Sequence, residues 1–215
     1  QGYSSAASDV YKRQLEWFYK NQRILPFRTD PSPYHVWLSE IMLQQTRVAA
    51  VLGYYARFLE TFPTVEALAA APEERLMKLW EGLGYYSRAR NLQKAARIVA
   101  EQGGRFPDTY QDLLALPGVG DYTASAIASA AFGQREAAVD GNVLRVAARV
   151  MNHFCEIDRP EQKAAVTALL RQVYLDNPEH CGTLTQAFME IGATVCVPNG
   201  QPHCETCPCL LYTSP

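Results

Sequence analysis

The chain has 215 residues, room for one large domain or two small ones. Hydrophobic residues at 48% and charged residues at 20% exclude a disordered tail protein, and 13 Gly with 13 Pro exclude collagen-like and low-complexity classes. The formal net charge of −2 announces no nucleic-acid partner, so any DNA contact must come from a local patch. No apolar run approaches the roughly 18 residues of a membrane span, and no basic segment followed by an apolar one marks a secretory leader.

Taken in order, nearly every segment reads as helix, and the expected fold class is all-α. Residues 4–14 are polar without core periodicity. With the string from Cys209 onward they resemble translated library-adaptor sequence. The expectation is therefore a non-native extension over 1–14, a non-native tail over 209–215, and a natural protein that continues past residue 208. Ordinary frayed termini are the other reading. Ser32 can cap and Pro33 can take the first position of a helix running to about Leu52, with Trp37, Ile41, Val48 and Leu52 on its buried face. Thr64 caps a short helix, and Pro72 with Glu73 and Glu74 opens another. A helix from about Tyr86 to Gln102 turns Leu92, Ala95, Ala96 and Val99 inward and stops at Gly103-Gly104. Thr109 starts a helix that ends at Leu116-Pro117. Further helices are predicted at about 121–131, 142–154, 160–175 and 183–194. No period-2 segment is long enough for a convincing strand, and no solenoid repeat is present.

Six cysteines occur. Cys155 and Cys181 stand apart, while Cys196, Cys204, Cys207 and Cys209 crowd into one short stretch. A disulfide framework spreads through a small secreted chain, whereas this cluster at one end of a helical chain reads as a metal site. Absence of a leader and reliance on reduced thiols fit a cytoplasmic protein.

Three motifs carry chemistry. In Leu116-Pro117-Gly118-Val119-Gly120-Asp121-Tyr122-Thr123, two glycines bracket one apolar residue between helices. Such a turn exposes backbone N–H groups at a helix start, where the dipole favours an anion such as a DNA phosphate, and Val119 can pack back between the helices. An ordinary helix-capping glycine turn is the other reading. In Val139-Asp140-Gly141-Asn142-Val143, Asp140 suits an N-cap. It also suits a carboxylate kept ionised by local N–H donors and facing a developing positive charge. In Trp37-Leu38-Ser39-Glu40-Ile41-Met42-Leu43-Gln44-Gln45-Thr46, Glu40 sits among apolar neighbours. A solvated surface charge is the bland reading; a desolvated carboxyl with a raised pKa suits a general acid. Glu40 and Asp140 would then form a carboxylate pair of the kind that breaks glycosidic bonds.

The strings LPFR, WLSEIMLQQT, EGLGYYSRARNL, LPGVGDYTASAI and AVDGNVLRV, with the C-terminal cysteines, together resemble the A/G-specific adenine DNA glycosylases, the MutY family within the endonuclease III superfamily. The resemblance runs from about Leu15 to Pro208. It implies a two-lobed helix-hairpin-helix fold with a DNA groove between lobes. A six-helix barrel lobe at about 33–140 would carry the hairpin at 116–121, and a cluster lobe would join 15–32 to 141–208. It implies removal of adenine mispaired with 8-oxoguanine or guanine from double-stranded DNA, after extrusion of the base. A lesion-recognition domain usually follows in that family, and this chain is expected to lack it.

By the same resemblance Glu40 protonates the departing adenine and assists the attacking water, and Asp140 stabilises the sugar cation. Tyr122 and Asn142 support these carboxylates. Gln44, Gln45, Tyr85, Arg88 and the hairpin residues Leu116, Gly118, Val119 and Gly120 meet DNA. Gln45 and Tyr85 among them wedge into the stack. Arg28, Leu43 and Glu190 belong to the base pocket. From the residues alone, Tyr85 also reads as core, Glu190 as a solvated helix face, and Arg88, Arg90 and Lys94 as either phosphate contacts or a plain exposed face. Tyr122 stands where the bifunctional endonuclease III relatives carry a Schiff-base lysine, so base removal without strand cleavage is expected. A thymine-mismatch or oxidised-pyrimidine glycosylase, or a non-catalytic DNA-binding module with a structural metal, are the alternatives.

The family holds a four-iron four-sulfur cluster on cysteines spaced C-x6-C-x2-C-x5-C. Here seven residues separate Cys196 from Cys204 and two separate Cys204 from Cys207, and the fourth position falls on Thr213. Cys209 is only a doubtful substitute, since a C-x-C pair spans little distance. Tetrahedral zinc is the rival metal. A monomer associated with the bacterial nucleoid completes the expectation.

Overall fold

The computed structural model describes residues 2–151 and 159–210, with side chains from residue 11 onward. Cys155, the end of the helix expected at 142–154, and Thr213 lie outside the described residues. Among the described residues twelve α-helices follow in order: α1 Gly2–Asn21, α2 Pro26–Thr29, α3 Pro33–Leu43, α4 Val48–Thr61, α5 Val65–Ala69, α6 Glu73–Trp80, α7 Ser87–Glu101, α8 Tyr110–Leu114, α9 Asp121–Phe132, α10 Gly141–Val150, α11 Pro160–Asp176 and α12 Cys181–Thr194. Short 3-10 turns occupy Pro178–His180 and Cys204–Thr206, and no strand occurs among the described residues.

Local chemistry sets the starts. The hydroxyls of Ser32, Thr64 and Thr109 accept from the backbone N–H three residues on, at 3.4, 3.2 and 3.2 Å, satisfying donors that a helix start leaves open. Gly103 and Gly104 follow α7 with φ of 76° and 74°, a conformation that would strain any residue with a Cβ.

One expectation fails. The helix predicted to run from Pro33 to Leu52 breaks after Leu43 and restarts at Val48. The break changes the helical phase. Trp37 and Ile41 are buried as expected, but α4 buries Val51, Tyr55 and Phe58, leaving Val48 and Leu52 partly exposed. The cause is tertiary and is described below.

The chain divides into two compact units. One is continuous, Leu25–Phe132. Its core gathers Trp37, Leu38, Met42, Tyr55, Phe58, Leu68, Leu76, Trp80, Leu92, Val99, Leu113 and Ile127 from α3 through α9. The other joins Gln1–Ile24 to Gly133–Pro215. In it Leu15 of α1 packs with Val143 and Leu144 of α10, Val166, Leu170 and Tyr174 of α11, and Leu184 of α12. A second cluster there holds Val146, Ile191, Val195, Cys196, Cys207 and Cys209. The divisions fall after Ile24 and Phe132, where the sequence placed them near 32 and 140. The break expected after residue 14 falls inside α1, where Tyr11 packs against the core and Gln14 is buried.

Candidate nucleic-acid interface and catalytic carboxylates

In the continuous unit the turn between α8 and α9 is built as its sequence dictates. The Val119 N–H donates to the Leu116 carbonyl at 3.1 Å, and both side chains are buried in the core. Gly118 has φ of 79°, and a Cβ there would stand 2.9 Å from Asn91 Cβ, so only glycine fits. Gly120 lies in open space and leads into α9, whose Ala124 N–H donates to the Gly120 carbonyl at 2.8 Å. The Gln44 amide approaches the Gly118 carbonyl at 3.5 Å and Thr123 Oγ1 at 3.4 Å, so it leans on the hairpin. Tyr122 is half-buried in the first turn of α9.

Glu40 is half-buried on α3, between Ser39 and Ile41, each 2% exposed. Arg28 lies in α2 and Leu43 ends α3, both half-buried. Gln45 and Tyr85 are exposed, and among the described residues they are the two non-glycine positions with positive φ, 55° and 47°.

Arg88 does not track phosphates from an exposed face. It is 8% exposed and turned inward. Its Nη1 donates to the carbonyls of Ile41 and Met42, both at 3.0 Å, and of Gln44 at 2.5 Å. Its Nη2 donates to Thr46 Oγ1 at 3.2 Å and to the carbonyls of Leu83 at 3.0 Å and Gly84 at 3.3 Å. By taking the last carbonyls of α3, this guanidinium ends the helix that the periodicity would have continued. Arg90, two residues on, is exposed and paired with Glu73 at 3.4 Å.

In the discontinuous unit Asp140 caps α10. Its Oδ1 accepts from the Val143 N–H at 2.8 Å, and its Oδ2 accepts from Asn142 Nδ2 at 2.6 Å. Asn142 Oδ1 in turn accepts from Arg145 Nη2 at 2.8 Å. Arg145 also donates to the carbonyls of Gly192 at 2.6 Å and Cys196 at 2.8 Å. The first turn of α10 meets α12 at Gly192, where a Cβ would stand 2.5 Å from Asn142 Cβ. Glu190, two residues earlier in α12, is fully buried and chelated by Arg23: Nε to Oε1 at 2.6 Å, Nη2 to Oε2 at 2.9 Å, and the Arg23 N–H to Oε1 at 3.1 Å. The hydrogen bond to Glu190 holds the Arg23 guanidinium above its ordinary pKa, against partial burial.

Sequence reasoning missed Arg23, Arg145 and Gly192. Nothing local marks Arg23. The other two carried a signal: Arg145 lies three residues after Asn142 on one helix face, and a lone glycine inside a helical pattern flags close backbone approach.

Cys196, Cys204 and Cys207 line one cavity with Val146, Arg149, Val195 and Leu210. Arg149 donates to Cys196 Sγ at 3.3 Å. Cys209 is not among the cavity's lining residues. Its thiol hydrogen-bonds Cys207 and accepts from Gln14 Nε2 at 3.2 Å; the Cys207 bond and burial push it above the ordinary thiol range. No three or more His, Cys, Asp or Glu side chains among the described residues are placed to hold one metal ion. Cys209, separated from Cys207 by one residue, packs in one cluster with Cys196 and Cys207.

An all-helical chain with a glycine hairpin opening a helix in one unit, and a capped aspartate opening a helix in the other, has the parts of a helix-hairpin-helix base-excision protein. Residues 38–172 match the model of the HhH-GPD superfamily of base excision DNA repair proteins, and the chain belongs to that superfamily. It is 46% identical over 204 residues to the adenine DNA glycosylase of Homo sapiens, covering 90% of this chain and 37% of that protein's length. Among solved structures it is similar to a thermostable thymine-DNA glycosylase, with TM-score 0.85, 27% identity, and coverage of 97% of this chain and 95% of the other. A non-covalent endonuclease III–DNA complex superposes with TM-score 0.76 and 26% identity over 94% of this chain and 90% of the other.

Proposed function

We propose that the chain is the catalytic part of a monofunctional adenine DNA glycosylase, hydrolysing the N-glycosidic bond of adenine mispaired with 8-oxoguanine or guanine. The observation that carries this reading is the Asp140 carboxylate, oriented by the Val143 N–H and the Asn142 amide. Held in this way it is a fixed negative charge suited to an oxocarbenium-like sugar, and being preorganised it needs no rearrangement as that charge develops. Glu40 supplies the proton to the departing base, its position on α3 fixed by buried neighbours. Tyr122 has no amine, so no Schiff base forms and the strand is left uncut. The hairpin's backbone amides take a phosphate. Cys196, Cys204 and Cys207 supply three thiolates of a four-iron four-sulfur cluster, tested by iron and sulfide content of the purified protein. The protein acts as a monomer on DNA in the cytoplasm. No helix among the described residues is long and apolar enough to cross a membrane.

The test is single-turnover cleavage of a duplex with one adenine opposite 8-oxoguanine, read with and without alkali. Alkali-dependent cleavage at the adenine is expected, and Glu40→Gln slows it by about 10²–10⁴-fold. Product from a thymine mispair or an oxidised pyrimidine instead of adenine would favour the second reading, which the likeness to a thymine-DNA glycosylase supports.

A further inference from the structure

The Gln45 and Tyr85 turns belong to different segments, yet both place an exposed side chain on a left-handed backbone. That conformation is costly for a residue with a Cβ and persists only where surrounding contacts over-determine it. Here one side chain makes contacts to both turns. Arg88 Nη1 holds the Gln44 carbonyl just before Gln45, and its Nη2 holds Thr46 Oγ1 just after. The same Nη2 holds the Leu83 and Gly84 carbonyls just before Tyr85, and Trp80 Nε1 adds a bond to Gly84 at 3.0 Å. The guanidinium carbon lies 5.5 Å from the Tyr85 ring centroid and 5.5 Å from that of Trp80. Tyr85 is 61% exposed despite this bracing, so the contacts fix a large aromatic ring in solvent rather than bury it. An aromatic ring and an amide on rigid turns match what unstacked bases offer, a π-face and hydrogen-bonding edges.

We propose that Arg88 is a positioning residue that couples the Gln45 and Tyr85 turns into one preorganised unit, so that the two side chains enter a DNA duplex together. This rests on the DNA-binding part of the function proposed above. The planar fork is what lets one side chain reach both turns; lysine keeps the charge but has no such geometry.

The test is a double-mutant cycle on the 215-residue chain. A duplex carries 2-aminopurine beside the mispair, and its fluorescence at saturating protein gives the equilibrium constant for base unstacking. This readout needs no excision. Gln45→Ala and Tyr85→Ala each lower that constant about tenfold, and the double variant stays within about twofold of the worse single one, because losing either wedge disables the pair. Arg88→Lys, with an unchanged far-UV spectrum, lowers it about tenfold and removes the coupling between the two turns. Multiplicative losses of about a hundredfold in the double variant, or an Arg88→Lys protein that unstacks the base like the parent, overturn the proposal. If Arg88→Lys fails to fold, the cycle in the parent background decides alone. Coupled unstacking without adenine release refutes the adenine reading and leaves the coupling standing; adenine release with independent turns does the reverse.

Discussion

Each oxygen of Asp140 has its own donor, and only one of the two bonds is the cap. Asparagine caps a helix about as well as aspartate, so Asp140→Asn separates the two roles. The melting midpoint is expected to stay within a few degrees, while single-turnover adenine release falls by at least about 10²-fold for loss of the charge. This cap was legible because it is local: acceptor and donor lie three residues apart. Arg88 was not. In Arg88-Ala89-Arg90 the two arginines look alike in sequence, but residues two apart on a helix do not share a face, and only the fold decides which points inward. Arg23 and Glu190 are 167 positions apart, and no pattern in either segment marks them as partners.

At the scale of helices, starts were easier to read than faces. Ser32, Thr64 and Thr109 cap where expected because the hydroxyl competes for its own nearby N–H groups. The run from Pro33 to Leu52 kept its apolar content but lost its continuity, because Arg88 takes the carbonyls that a continuing helix would have used. Gly192 matters in the opposite sense, by having no side chain. Gly192→Ala puts a carbon against Asn142 and must push α10 from α12. The expected cost is about 1–3 kcal/mol, seen as a melting midpoint lower by several degrees. Because the displaced turn carries Asp140, adenine release at a temperature where the variant is fully folded should fall more than stability accounts for. Equal rates at equal folded fraction would show that the contact serves packing only.

Each unit carries its own core, one continuous in sequence and one assembled from both ends of the chain. A cavity in the second should therefore leave the first alone. Leu184→Ala, at a fully buried position of α12, is expected to cost about 2–5 kcal/mol. Hydrogen exchange should quicken in α10, α11 and α12 while amides of α7 and α9 keep their protection; parallel loss in both sets would mean a single cooperative unit. The sequence conveyed the helical class and the hairpin but placed both divisions eight residues late, since nothing in the composition marks the points where the chain passes between cores. The split unit also orders events during synthesis. α1 leaves the ribosome well before α12, so Leu184, against which its Leu15 packs, is made long afterwards. At about 5–20 residues per second that interval is roughly ten to thirty seconds, in which residues 25–132 can fold while α1 waits with its apolar side uncovered. A nascent chain stalled before α12 should thus present a finished hairpin unit tethered to an unfinished leading helix, the form in which chaperones would meet it.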